Sequence, residues 1–184
     1  MALPDDLQLL GRLPARDQHH ARHPGGLGRD RGASSLRLLI RADGAARGNP
    51  GPAAAGAVLI DADRPDARRP EAAPLACVAR ALGSQTNNYA EYTAVVLALR
   101  RAHQLGAEEV ELVLDSKLVV EQLSGRWKVR HPAIRPLVDA AKAELAGFRR
   151  WSIRHEPRAA NHAADALANL ALDDPAAAAR AERG

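Results

Sequence analysis

Apolar positions come in short blocks through the first half of the chain and in longer, helix-spaced blocks through the second. LRLLIRADGAA (36–46) opens with a Leu- and Ile-rich run that closes at Asp43 and is followed by Gly and Pro punctuation, which predicts a first strand. AGAVLIDAD (55–63) and LACVARAL (75–82) predict a second and a third, joined by turns into an antiparallel meander. NYAEYTAVVLALRRAHQLG (88–106) is built from helix formers, stops at Gly106 and is apolar around most of its circumference, so it predicts a largely buried helix. VELVLD (110–115) predicts a strand and SKLVVEQLSG (116–125) a helix that starts where the strand ends. A helix from about Ile134 to Phe148, a strand at WSIRH (151–155) and a last helix from about Ala160 to Asp173 complete the order. Three strands, helix, strand, helices, strand and helix describe an α/β fold, a mixed sheet with helices packed against it.

The flanks carry no such pattern. Residues 1–34, with RDQHHARHPGGLGRDRGASS, lack an apolar period and are expected to form a flexible extension rich in Arg, His and Gly. His19, His20 and His23 read as solvated, and Asp5, Asp6, Asp17 and Asp30 nearly cancel the arginines that would make the segment a nucleic-acid arm. The expected domain is 35–174, and 175–184 reads as a disordered tail.

Composition narrows the picture a little. Among 184 residues only five are aromatic, so Leu, Val, Ile and Ala must build the core, and Trp127 reads as core for want of other large rings. The net charge of +4 tolerates a polyanionic partner without requiring one. Cys77 is the only cysteine, which excludes an internal disulfide. No apolar run approaches the roughly 20 residues of a membrane helix, and MALPDDLQLLGRL lacks the features of a secretory signal. The expectation is a cytoplasmic monomer with no membrane partner.

Four acids sit in unusual settings: Asp43 in RADGAARGNPGP, Glu91 in QTNNYAEY, Asp115 in VELVLDSK and Asp165 in ANHAADALAN. Taken singly, Asp43 reads as a turn residue, Glu91 as a solvated helix face and Asp115-Ser116 as a helix cap. Taken together, on two strand ends and two helices, they read as a divalent-metal site, because a hard cation such as Mg²⁺ takes oxygen ligands from separate elements. Such a site suits phosphodiester chemistry.

In this order the segments DGAARGNPGPAAAGAV (43–58), TNNYAEY (86–92), LVLDSKLVVEQLSG (112–125) and HEPRAANHAADALANLA (155–171) resemble ribonuclease H of type 1 across about residues 36–173. SGRWKVRHPAIRPL is similar to the compact branch of that family, especially the nuclease domain that some actinobacterial proteins carry ahead of a phosphatase-like domain. The resemblance implies a five-stranded mixed sheet, three antiparallel strands followed by two parallel ones. It also implies hydrolysis of the RNA strand of RNA/DNA hybrids to 5′-phosphate and 3′-hydroxyl ends, with two Mg²⁺ ions per site, or Mn²⁺. Asp43 would bridge the ions, Glu91 and Asp115 completing one site and Asp165 the other.

His155 matches a mobile-loop histidine of bacterial members, and Arg158 an arginine of archaeal relatives; either is a candidate to assist the chemistry. Asn49, Thr86, Asn87 and Asn88 match hybrid-contacting positions, short amides being able to sense a 2′-hydroxyl. Lys117 stands where relatives often have Gln, and Asn161 is placed to orient the loop or its carboxylate. The basic handle of the better-known bacterial form is missing between Gly125 and Ile134, leaving Trp127, Lys128 and Arg130 as a smaller contact surface. Two other readings remain: a non-catalytic module that binds hybrids or double-stranded RNA, and a nuclease with double-stranded RNA activity.

Overall fold

The computed structural model describes residues 35–183; the expected N-terminal extension, 1–34, lies outside them. Strands β1 (Arg37–Ala46), β2 (Gly51–Asp61) and β3 (Ala76–Gln85) form the antiparallel meander. Helix α1 (Asn87–Gln104) leads to β4 (Glu109–Leu114), then α2 (Lys117–Leu123), α3 (Arg135–Ala146) and β5 (Arg150–His155). A 3₁₀ turn at Arg158–Ala160 precedes α4 (His162–Asp173), and α5 (Pro175–Arg183) ends the described chain. The sheet order is β3-β2-β1-β4-β5, with β4 parallel to both β1 and β5. This is the predicted five-stranded mixed sheet.

Helix α1 is capped by Thr86, whose Oγ1 accepts from the Tyr89 amide at 3.2 Å, and every residue from Tyr92 to Leu99 is buried. It packs on β1, β2 and β3 and against α3, which presents Leu137, Val138, Ala141 and Leu145. Helix α4 lies against β1, β2 and β3, and Ala163 and Leu167 join the core cluster of Leu39, Val58, Ile60 and Val113.

Three expectations are corrected. Asp43 is interior to β1, not at its end, because Gly44, Ala45 and Ala46 continue the ladder opposite Ala55, Ala54 and Ala53. Small residues read locally as punctuation pair here as strand. Trp127 is 47% exposed, not core; Tyr92, Tyr89 and Phe148 are the buried rings. Residues 175–183 are helical, not a disordered tail. Asp174 Oδ1 caps this helix by accepting from the Ala177 amide at 2.9 Å, with Pro175 at its first position. Ala178 packs with Ala54, Ala79 and Ala171, and Glu182 accepts from the Ala79 amide at 3.2 Å and from Arg80 at 3.1 Å.

Two glycines around Asp43 set how closely the helices approach. A Cβ on Gly44 would lie 2.2 Å from the Glu91 nitrogen, and one on Gly56, the cross-strand partner of Asp43, 2.3 Å from the Ala164 oxygen. Both clashes are with backbone, so neither is relieved by a rotamer change. Gly44→Ala and Gly56→Ala are each expected to cost about 3 kcal/mol or more, above the middle of the range for overpacking; a loss below about 1 kcal/mol by urea unfolding would contradict the close packing.

Candidate active site

The glycine contacts bring two helices onto the central strand at Asp43. The start of α1 carries Glu91 over Gly44, while α4, with Asp165 in its first turn, lies on Gly56. Asp115 follows directly after β4, the parallel neighbour of β1. All four predicted acids therefore belong to one neighbourhood.

Their charges meet at Asp43. Its side chain is 9% exposed, and Oδ1 accepts from the Gly44 amide at 2.8 Å. Burial, then the charges of Asp115, Asp165 and Glu91, push its carboxyl up to about 7 against that hydrogen bond. Burial, with the Asp115 charge added, also raises the Glu91 carboxyl above its ordinary value. Opposing this, Glu91 Oε2 accepts from Ser116 Oγ at 2.7 Å and Oε1 from Asn87 Nδ2 at 3.0 Å. Ser116 occupies the cap position of α2 but makes no side-chain cap bond, so the cap reading of Asp115-Ser116 gives way to a serine that holds Glu91.

Asp115 Oδ1 accepts from Asn161 Nδ2 at 3.0 Å, and the same Nδ2 donates to the Ala42 carbonyl at 3.0 Å. Asn161 is 1% exposed, and the carboxylate it orients is Asp115, not Asp165. Its Oδ1 is buried without a hydrogen-bond partner. Asp165 is gripped by Arg158 at 2.6 Å and by Asn169 Nδ2 at 3.3 Å. The hydrogen bond and charge of Asp165, with Asp43 and Asp115 adding, raise the Arg158 guanidinium. His155 is exposed, and its Nε2 lies 3.1 Å from the Asp115 carbonyl, a backbone contact only. Both loop candidates are thus at the site, with the arginine on a carboxylate and the imidazole at the rim.

The amides gather beside Glu91. Asn49 Oδ1 accepts from the Asn87 amide at 3.3 Å, which ties the β1–β2 turn to the start of α1, and Asn49 and Asn88 are exposed. Thr86 caps α1, and Lys117 opens α2 on the surface.

An ion-pair chain missed by sequence reasoning anchors the loop after β5. Arg41, 1% exposed, donates to Glu156 Oε2 at 2.8 Å and to the Arg68 carbonyl at 3.3 Å. Arg154 joins Glu156 and also Glu111, which takes a two-point contact from Arg68 at 2.8 and 2.9 Å. Burial alone would raise the Glu156 carboxyl, but Arg41 and Arg154 hold it below its ordinary value. The one available signal was an arginine in the middle of an apolar strand run.

The donor set fits a hard divalent cation. The charges of three carboxylates, with no thiolate among them, act on the buried carboxyl of Asp43, an all-oxygen donor set. Among the described residues no three acids, histidines or cysteines draw close enough to form a ready-made ion cage, and the acids' oxygens rest on Ser116, Asn87, Asn161, Arg158 and Asn169.

Fold and acid cluster together define a ribonuclease H-like domain. The profile of the family described as Reverse transcriptase-like matches residues 41–171. Ribonuclease HI of Halobacterium salinarum is 46% identical over 145 residues, 79% of this chain and 67% of that protein. The crystal structure of RNase H1 from that archaeon superposes with a TM-score of 0.69, covering 75% of this chain and 98% of that one. The bifunctional protein Rv2228c of Mycobacterium tuberculosis is 46% identical over 147 residues, which make up 80% of this chain but only 38% of that protein. Its N-terminal RNase H domain, solved as a maltose-binding-protein fusion, gives a TM-score of 0.69 at 47% identity, covering 75% of this chain and all of that one. LC11-RNase H1, in complex with an RNA/DNA hybrid, gives 0.67 at 33% identity, covering 75% of this chain and 98% of that one. The chain belongs to the ribonuclease H family, which is divalent-metal dependent. No helix separates α2 from α3.

Two stability measurements test this electrostatic picture. The Asp43 carboxyl has its folded value raised from 3.8 to about 7, so its ionisation opposes folding increasingly from pH 4 to 7 and fully above. With chelator present, Asp43→Asn is expected to gain on the order of 2–4 kcal/mol at pH 8 and almost nothing near pH 4; an equal effect at both pH values would refute the clustering. Glu156→Gln is expected to cost about 3 kcal/mol by leaving the buried Arg41 charge uncompensated, and a neutral result in urea unfolding would contradict it.

Proposed function

We propose that this chain is an endonuclease that hydrolyses the RNA strand of RNA/DNA hybrids, leaving 5′-phosphate and 3′-hydroxyl ends. The observation that carries the reading is the buried Asp43 ringed by the charges of Glu91, Asp115 and Asp165, with exposed amides at its edge. The identity to Halobacterium ribonuclease HI and the likeness to a relative solved on a hybrid support it.

Asp43, Glu91, Asp115 and Asp165 would hold Mg²⁺, two ions per site, with Mn²⁺ as a substitute. Bound there, the metal supplies Lewis acidity for activating water and for stabilising the leaving 3′-oxygen. The chain's own residues prepare that position. Ser116 and Asn87 fix the Glu91 carboxylate, and Asn161 fixes Asp115 against β1. Asn49, Asn87 and Asn88 would read the minor groove through a 2′-hydroxyl, and Thr86 and Lys117 would meet the backbone. Exposed Trp127, with Lys128 and Arg130, offers a stacking and phosphate-contacting surface in place of a handle. Arg158, a permanent cation on the Asp165 carboxylate, is the stronger candidate to assist release of the phosphate product; His155 touches only backbone. The reading includes a monomer working in the cytoplasm, away from membranes.

An end-labelled hybrid, with duplex RNA, duplex DNA and single-stranded RNA alongside, tests the reading in Mg²⁺, Mn²⁺ and chelator. Hybrid cleavage that needs metal and falls at least on the order of 100-fold in Asp115→Asn is expected; cleavage surviving either change would sink it. Tight binding without turnover would favour a binding module, and preferred cleavage of duplex RNA would move the substrate class. Arg158→Ala is expected to lower kcat more than His155→Ala, and the reverse order would transfer the role.

A further inference from the structure

A buried polar relay runs from the helix that bears Glu91 to the loop that bears Trp127. Tyr92, the residue after Glu91, is fully buried, and its hydroxyl donates to Gln122 Oε1. Gln122, on α2 and 8% exposed, donates through Nε2 to the Lys128 carbonyl at 3.0 Å. Its companions on the buried face of α2 are Val119, Val120 and Leu123, so an apolar side chain would suit the position. A buried hydroxyl and a buried amide are costly unless partnered, and here each partners the other.

The chemistry allows one direction for the amide. Turned over, Gln122 would set its Oε1 against the Lys128 carbonyl oxygen, two acceptors face to face. In the observed direction both bonds form, and α1, α2 and the loop are joined in series. The other anchors among the described residues are local to the loop's ends: the Gly125 amide on the Gln122 carbonyl, the Arg126 and Trp127 amides on the Glu121 carbonyl, the Arg126 guanidinium on the Glu121 carboxylate, the Ile134 and Arg135 amides on the His131 carbonyl, and the Arg135 side chain on the Val129 carbonyl. Gln122 also borders the open groove walled by Trp127, Arg126 and Arg130.

We infer that Tyr92 and Gln122 are positioning residues that set the 125–131 loop relative to Glu91, so that hybrid affinity, more than chemical rate, depends on them. This rests on the hybrid-cleaving reading above and assigns to it two residues whose side chains hydrogen-bond to each other and to the loop, not to the four acids. Neutral Gln122→Met removes both bonds at similar volume without adding charge beside the groove. Tyr92→Phe removes only the first.

The experiment measures kcat, KM and hybrid affinity for the parent, both variants and the double variant. It also follows Trp127 fluorescence in a Trp151→Phe background, where Trp127 is the only tryptophan. Gln122→Met is expected to raise KM and weaken binding roughly tenfold with kcat held within about twofold, and to shift Trp127 emission; Tyr92→Phe should do less. The double variant should match Gln122→Met, because both act along one path. Unchanged KM and emission in Gln122→Met, a fall in kcat alone, or additive effects would each overturn the inference, even if melting temperature drops. A parent that neither binds nor cleaves a hybrid overturns the functional reading together with it, whereas a cleaving parent with an indifferent Gln122→Met overturns the relay alone.

Discussion

The site depends on two missing side-chain carbons. Asp43 lies on the central strand of a five-stranded sheet, and the side chains of such a strand normally hold the covering helices off the sheet's backbone. Gly44, next in the strand, and Gly56, across from Asp43, remove that spacing on the two faces. The Glu91 amide and the Ala164 carbonyl occupy the space where methyl groups would stand. Without that approach Glu91 and Asp165 would sit a layer farther from Asp43. The alanine-rich packing of α4 and α5 on β2 and β3, through Ala54, Ala79, Ala168, Ala171 and Ala178, extends the same close approach beyond the site.

Close approach has an electrostatic cost, and the surroundings are arranged to contain it. Four carboxylates near one buried point repel one another, which is why the central one resists ionisation. Around it, each acid is met by a neutral or cationic donor: the Gly44 amide, Ser116 and Asn87, Asn161, then Arg158 with Asn169. Such donors fix carboxylate orientation while leaving negative charge for a cation to satisfy. The Arg41, Glu156, Arg154, Glu111 and Arg68 chain does separate work, tying the loop after β5 to the strand that holds Asp43 and to the β2–β3 connection. Arg41 is the fully buried member of this chain, so losing Glu156 would leave its charge without a counter-ion, whereas the outer pairs with Arg68 and Arg154 are partly screened by water.

Much of this was legible in the sequence, and the gaps have physical reasons. Apolar blocks located the five strands and helices α1 to α4 between residues 36 and 173; β1, β2 and α1 are buried on nearly every side and α3 along one face. The acids stood out because each has Asn, Gly or Ser nearby, although Asp43 lies inside its strand and not at the boundary first read for it. Strand continuation through Gly44-Ala45-Ala46 was hidden because small residues pair only when a partner strand supplies the ladder. The last helix was hidden because an alanine run has no contrast until it meets other alanines. Trp127 was misplaced by a volume argument that ignored how fully aliphatic residues fill this core. The Arg41–Glu156 and Asn161–Ala42 contacts join positions more than a hundred residues apart, where spacing carries no information.

The most direct measurement of the central claim is the titration of the Asp43 carboxyl carbon by NMR, with and without saturating Mg²⁺. A value near 7 in chelator, falling into the ordinary carboxylate range when Mg²⁺ is added, is the predicted result. An ordinary value in chelator, or one that Mg²⁺ leaves unmoved, would contradict a shared, cation-seeking carboxylate site.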